Sequence, residues 1–329
     1  MESRLALEAR QTAAGARRQL ATCTAVLAEL ARRLHAQPPP LVVTCARGSS
    51  DHAATYGKYV IETTVGNLVA SVGPSVASMY QRAPVGLRHA LFIAVSQSGR
   101  SPDVLELTSA ARRGGALVVG LINDEASPLA ALCDLVLPLC AGEERAVAAT
   151  KSFLLSGLAF LQLAAAWTGD AALAEAVRRA PDTFETACGV AWDLSPLAGA
   201  TSLYVVGRGI GLGAAQELAL KLKETCRLHA EAFSTAEVLH GPVALVGPGF
   251  PIVAVEQVDA TSATTREVLA RLAALGATLH RCTPPVDGPP LLAPLCQVQS
   301  FYLALPALAA ARGLDADTPP HLAKITETR

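Results

Sequence analysis

The sequence predicts an α/β protein of two tandem units, each a parallel sheet sandwiched by helices, preceded by an N-terminal helical arm. Three observations carry this. Near-continuous apolar runs alternate with helix-length segments, the pattern of strands buried on both faces. Glycine- and hydroxyl-rich turns join strand to helix. The pattern of residues 41–122 restarts near residue 203, the mark of an internal duplication. With 329 residues, 51% of them hydrophobic and 17% charged, the chain has material for a large core.

Residues 1–36 predict the helical arm. Leu5, Leu20, Val26, Leu27, Leu30 and Leu34 recur among Arg, Glu and Ala, and Gln37-Pro38-Pro39-Pro40 stops the pattern. Residues 37–192 are the first unit. It opens with a strand at 41–45, a turn at 46–51 and a helix through Glu62. A strand at 68–72 precedes a second buried strand, 90–95. The next helix, starting at Val104, ends at Gly114-Gly115. Strands at 116–122 and 135–139 and a long helix at 150–167 complete the unit. Residues 193–329 are the second unit. A strand at 203–206 leads into Gly207-Arg208-Gly209-Ile210-Gly211 and a helix through Glu224, with 221–232 read as the close of that helix. Strands at 252–255 and 277–280 stand where 92–95 and 116–119 stood. In this alignment Gly48 matches Gly209 and Glu62 matches Glu224.

Charge and composition exclude several classes. A net charge of −1 leaves no electrostatic footprint for nucleic acid or an anionic membrane. The first residues hold no apolar signal core. The longest apolar stretch, 153–167, contains Ser156 and Gln162 and falls short of a bilayer span of about 20 residues. Eight scattered cysteines read as reduced residues of a cytoplasmic protein. The seven histidines do not cluster with cysteines or carboxylates at ligand spacing, so no metal is expected. No organic cofactor is expected either.

Chemistry concentrates in the turn Ser96-Gln97-Ser98-Gly99-Arg100-Ser101, between a buried strand and a helix that begins at Pro102 or just after. A helix N-terminus presents unpaired N–H groups and partial positive charge. Three hydroxyls and an amide add donors, so the turn reads as a phosphate site. It is also the form of an ordinary strand-to-helix turn with proline at the first helical position. The second unit has Glu256-Gln257-Val258-Asp259 at this point, and two carboxylates repel a phosphate. One phosphate per chain is expected. Gly207–Gly213 lacks the spacing of a dinucleotide fingerprint.

Lys221 and Glu224 stand three apart and share a helix face, either as a solvated ion pair or as functional groups. His240 precedes Gly241-Pro242, where a tight turn is expected.

Taken together, these stretches resemble the SIS (sugar isomerase) superfamily. The resemblance rests on Gly48-Ser49-Ser50, Ser96–Ser101, the run from Val147 to Phe153, the Lys221–Pro242 stretch and Leu322-Ala323-Lys324. Their order and spacing are similar to the isomerase half of glucosamine-6-phosphate synthase and, nearest in type, to stand-alone glucosamine-6-phosphate deaminases. The resemblance implies that Ser96, Gln97, Ser98 and Ser101 hold a sugar phosphate, and that Ser50 and Val147 to Ala149 line the sugar. It makes Glu224 the base for a C1–C2 proton shift and Lys221 its support. His240 assists ring opening, reaching a neighbouring subunit in a homodimer, and Lys324 forms a Schiff base with the open-chain ketose. Ala149 departs from the synthase, which has a serine there. Residues 1–40 hold no glutamine-hydrolysing unit, so the expected reaction is the release of ammonia from glucosamine 6-phosphate. Aldose–ketose isomerisation and removal of an amine from a phosphorylated sugar adduct are the alternatives. From another class, so is a non-catalytic sugar-phosphate sensor.

Overall fold

A computed structural model describes residues 2–324. Residues 14–144 and 151–181 pack as one unit, and residues 2–13, 145–150 and 182–324 as another. The N-terminal arm is two helices, α1 (Arg4–Arg10) and α2 (Thr12–Ala36). At the break, the Thr12 hydroxyl donates to the Ala9 carbonyl at 2.8 Å, a local bond of the kind that competes with helix continuation.

The first sheet follows. Its elements are β1 (Val42–Cys45), α3 (Ser49–Thr64), β2 (Val69–Ser71), α4 (Ser75–Ser78), β3 (Leu91–Ser96), α5 (Pro102–Arg113), β4 (Leu117–Ile122), α6 (Pro128–Leu132) and β5 (Leu135–Pro138). The helices α7 (Lys151–Thr168) and α8 (Ala171–Ala187) come next. All strand pairs are parallel, in the order β2-β1-β3-β4-β5. Every residue of β1 and β3 is buried, which is why both read as unbroken apolar runs. Val43, Phe92, Ala94, Val118 and Leu107 meet in one core. The long apolar stretch is α7, a helix buried along most of its length. Among the described residues no helix is long and apolar enough to cross a membrane.

The second sheet holds β6 (Ser202–Gly207), α9 (Gly211–Cys226), β7 (His229–Ser234), β8 (Pro251–Val255), α10 (Ser262–Ala274) and β9 (Thr278–Cys282), followed by α11 (Ala293–Ala311). The parallel order β7-β6-β8-β9 repeats that of the first sheet without its fifth strand. In each sheet the winding reverses between the first and third strands of the copy. At such a switch point the carboxyl ends of two adjacent strands diverge and leave a crevice.

One element differs from the sequence reading. Residues 221–232 do not close a helix. α9 stops at Cys226 because Arg227 turns left-handed (φ 47°) and donates its N–H to the Leu222 carbonyl. The chain then becomes the edge strand β7, paired from Ser202↔His229 to Gly207↔Ser234. A lone arginine gave no hint of that cap, because glycine or asparagine is the usual signal.

Candidate active site

The turn after β3 lies at the switch point of the first sheet. Gly99 adopts φ +62°, and a Cβ there would fall 2.1 Å from Ser127 Oγ, so the position requires glycine. The Gly99 N–H donates to Ser96 Oγ at 2.9 Å, and Leu129 N–H donates to the Gly99 carbonyl at 3.2 Å, fixing the turn. Ser101 is the N-cap of α5, yet its hydroxyl makes no capping bond. Ser50 is the second residue of the neighbouring helix α3, whose N-cap is Gly48 (φ +54°), on the turn that follows β1. Ser96 is buried; Ser50, Gln97, Ser98 and Ser101 are half-buried. Thus two helix N-termini and their hydroxyls sit at adjacent strand ends, the geometry that suits an anion. Asp103 lies fully buried in the first turn of α5. Its carboxylate accepts from Arg47 Nε at 2.8 Å and from the Val104 N–H at 2.8 Å, so Arg47 balances a negative charge beside the turn.

The second chemical group lies on α9. Lys221 and Glu217 are fully buried, whereas the Glu224 side chain is 20% exposed. Lys221 Nζ lies 2.5 Å from Glu224 Oε2 and 3.4 Å from Glu217 Oε1. Tyr302 on α11 donates its hydroxyl to Glu217 Oε1 at 2.7 Å. Burial pushes the Lys221 ammonium down, but the two carboxylates more than offset it and its pKa is raised. Lys221 therefore stays charged, so the ordinary solvated-pair reading does not apply to it. Removing one partner of such a buried pair costs about 3–5 kcal/mol.

Glu224 opens onto a groove of about 450 Å³, lined by Leu220, Lys223, Arg227 and, from the C-terminal segment, Pro320, His321 and Leu322. Two residues past that lining, Lys324 Nζ donates to the Ala146 carbonyl at 2.7 Å. The Ala146 N–H, and that of Arg145, are held by the buried Glu8 carboxylate of α1. Val147 and Ala149 follow directly, both half-buried. One peptide unit thus joins the expected sugar-lining segment to the expected Schiff-base lysine. Asp317, farther up the same C-terminal segment, accepts from the N–H groups of Arg4 and Leu5 at 2.7 and 2.8 Å, tying that segment to the start of α1.

His240 is exposed just after a short 3-10 turn, Glu237–Leu239, and is not among the groove's lining residues. A larger cavity, about 560 Å³, opens at the amino ends of β6, β8 and β9. None of the residues expected at the site lines this cavity. Burial pushes the Cys45 and Cys296 thiols up to about 12, which removes them as nucleophiles.

Sequence reasoning missed three residues. Glu217 had a signal, being one helical turn before Lys221. Tyr302 and Glu8 had none, because each meets its partner across a long sequence separation.

The SIS domain model matches residues 39–166 and 196–281, and the chain belongs to the SIS domain family. It is 35% identical over 308 residues to a glutamine–fructose-6-phosphate aminotransferase (isomerizing) of Aeropyrum pernix, covering 84% of this chain and 49% of that protein. The chain thus spans about half the length of such relatives. A solved structure from Silicibacter pomeroyi, described as a phosphosugar isomerase, is 42% identical with a TM-score of 0.90, covering 96% of this chain and all of that one. The glucosamine-6-phosphate deaminase of Thermotoga maritima superposes with a TM-score of 0.81 at 23% identity, covering 99% and 100% of the two chains, a likeness of fold alone.

Proposed function

We propose that this protein is an enzyme acting on phosphorylated amino sugars, converting glucosamine 6-phosphate and water to fructose 6-phosphate and ammonia. Ser96, Gln97, Ser98 and Ser101 hold the phosphate with the N-terminus of α5, while Ser50, Val147 and Ala149 line the sugar. His240 assists ring opening, since imidazole exchanges protons near neutral pH. Glu224 takes the proton from C2 of the open-chain aldehyde; the C–H electron pair forms the C1=C2 bond of an enolamine while the C1=O π pair moves onto O1, which takes up a proton. The same carboxyl returns the proton to C1 while the C2 amino group gives up one N–H proton, giving the C2 imine and balancing the proton gained at O1. Lys324 adds to that imine, ammonia leaves, and water releases the ketose from the lysine Schiff base.

The observation that carries this reading is the half-open Glu224 carboxylate, paired to a buried ammonium, in a groove closed by the segment that runs on to Lys324. A sensor has no need for a buried lysine behind a carboxylate. The likeness to the protein described as a phosphosugar isomerase supports a second reading, aldose–ketose isomerisation without amine release. Incubation with glucosamine 6-phosphate, with ammonia and fructose 6-phosphate assayed separately, decides between them. Equal amounts of both products are expected; a ketose formed from an aldose phosphate without ammonia favours the second reading, and no turnover of either substrate refutes both. We further propose a homodimer, with exposed His240 serving the partner's site; a fully active monomer by light scattering overturns that.

A further inference from the structure

Glu217 and Tyr302 lie behind the Lys221–Glu224 pair, and Glu217, fully buried, is out of reach of any substrate. Resting on the reading of Glu224 as the base, we propose that Glu217, held by Tyr302, is the standing counter-ion of Lys221. It keeps Lys221 an ammonium while Glu224 alternates between carboxylate and acid.

When Glu224 accepts the C2 proton it becomes neutral, and Lys221 loses the nearer of its two carboxylate partners. An isolated ammonium with 1% of its side chain exposed is costly and tends to shed its proton. Glu217 Oε1, 3.4 Å from Lys221 Nζ, remains ionised through that interval because no proton donor of the substrate reaches it. The Tyr302 hydroxyl donates to that same oxygen, which orients it toward the lysine and favours its ionised form. Without Glu217, protonating Glu224 leaves a buried net positive charge. Lys221 then tends to deprotonate, and the support of the base fails.

The charged groups acting on Lys221 are Glu217 and Glu224, both on α9. Packed against α9, α11 supplies the Tyr302 hydroxyl. On β7, His229 and Glu231 are exposed to solvent. On β6, the Tyr204 hydroxyl donates to the Pro242 carbonyl. The strand β8, Pro251–Val255, carries no titratable side chain. Glu217 and Tyr302 are positioning residues, because they act through Lys221.

The test is ¹³C NMR of lysine Cε in substrate-free full-length protein, with Lys221 assigned through Lys221→Arg. The wild-type Lys221 signal is expected to titrate above the ordinary lysine range. Glu217→Gln is expected to lower its midpoint by about 1 pH unit or more, and Tyr302→Phe to lower it less. In parallel, the high-pH limb of C2-proton exchange with solvent moves down in both variants, with kcat falling and KM little changed. A Lys221 midpoint identical in wild type and folded Glu217→Gln overturns the proposal. If Glu217→Gln does not fold, Tyr302→Phe decides: a shifted titration supports the counter-ion, and an unchanged titration and pH profile overturn it. Shifted Lys221 titrations in a wild type that exchanges no C2 proton uphold the counter-ion and sink Glu224 as the base.

Discussion

Glu62 and Glu224 occupy the same place in two copies of one fold, and their surroundings give them different work. In the first copy, the Glu62 carboxylate accepts the Val69 N–H at 3.1 Å, holding β2 to α3, and Lys58 stands 3.9 Å away with 41% of its side chain exposed. In the second copy, Glu224 faces a groove and is backed by a lysine that is fully buried. The turns diverge in the opposite sense. After β3 the chain presents Ser96, Gln97, Ser98 and Ser101 around the N-terminus of α5. After β8 the corresponding groups are spent within the protein. Glu256 accepts from Arg281 Nη1, Asp259 Oδ1 accepts from the Thr261 hydroxyl at 2.6 Å, and Gln257 Nε2 donates to Gln297 at 2.7 Å. Duplication kept the scaffold, and the side chains set on it diverged. The first offers a hydroxyl-lined turn and a structural glutamate, the second a groove-facing glutamate and a stapled turn.

The largest expected effect breaks the symmetry outright. Glu224→Gln keeps shape and hydrogen bonding but removes the base, and is expected to lower turnover about 10²–10⁴-fold. Glu62→Gln is expected to leave turnover unchanged. NMR of the C2 proton in deuterated solvent checks both, and wild-type exchange in Glu224→Gln would remove the assignment.

Lys324→Ala separates proton transfer from amine transfer. C2 exchange is expected to continue while ammonia release slows, because the carboxylate remains and the Schiff-base partner is gone. An ammonia assay run beside the exchange measurement tests this, and equal loss of both steps contradicts it.

Ser98→Ala addresses the turns. Loss of one hydrogen bond to a charged oxygen is expected to weaken binding by about 1.5–3 kcal/mol, or roughly 10- to 150-fold. Titration calorimetry with a sugar phosphate reads the affinity and the stoichiometry. One site per chain is expected, and two sites would show that the stapled turn after β8 also binds.

The smallest effect concerns α1. Glu8→Gln keeps an acceptor oxygen but loses the charge that holds the N–H groups of Arg145 and Ala146. Faster amide exchange at 145–146 is expected, with protection of β6 and β8 unchanged. Equal protection throughout would mean that the anchor is dispensable.

What the sequence determined by itself follows from local rules. Apolar runs fixed the strands β1, β3, β4, β6 and β8, because burial on both faces leaves no room for alternation. Hydroxyls and Gly99 after β3 marked the candidate anion turn, and the offset between Gly48 and Gly209 exposed the duplication. Lys221 and Glu224 were legible as a pair from their spacing, though their burial was not. Tertiary structure decided the rest. It ended α9 at Arg227, where β6 offered an edge on which residues 229–234 form six paired positions. It set Tyr302 against Glu217 and Glu8 against Ala146, contacts between residues 85 and 138 positions apart that no local pattern encodes. Burial converted an ion pair of ordinary spacing into a charged group held away from water, and burial is a property of the packed chain rather than of any segment.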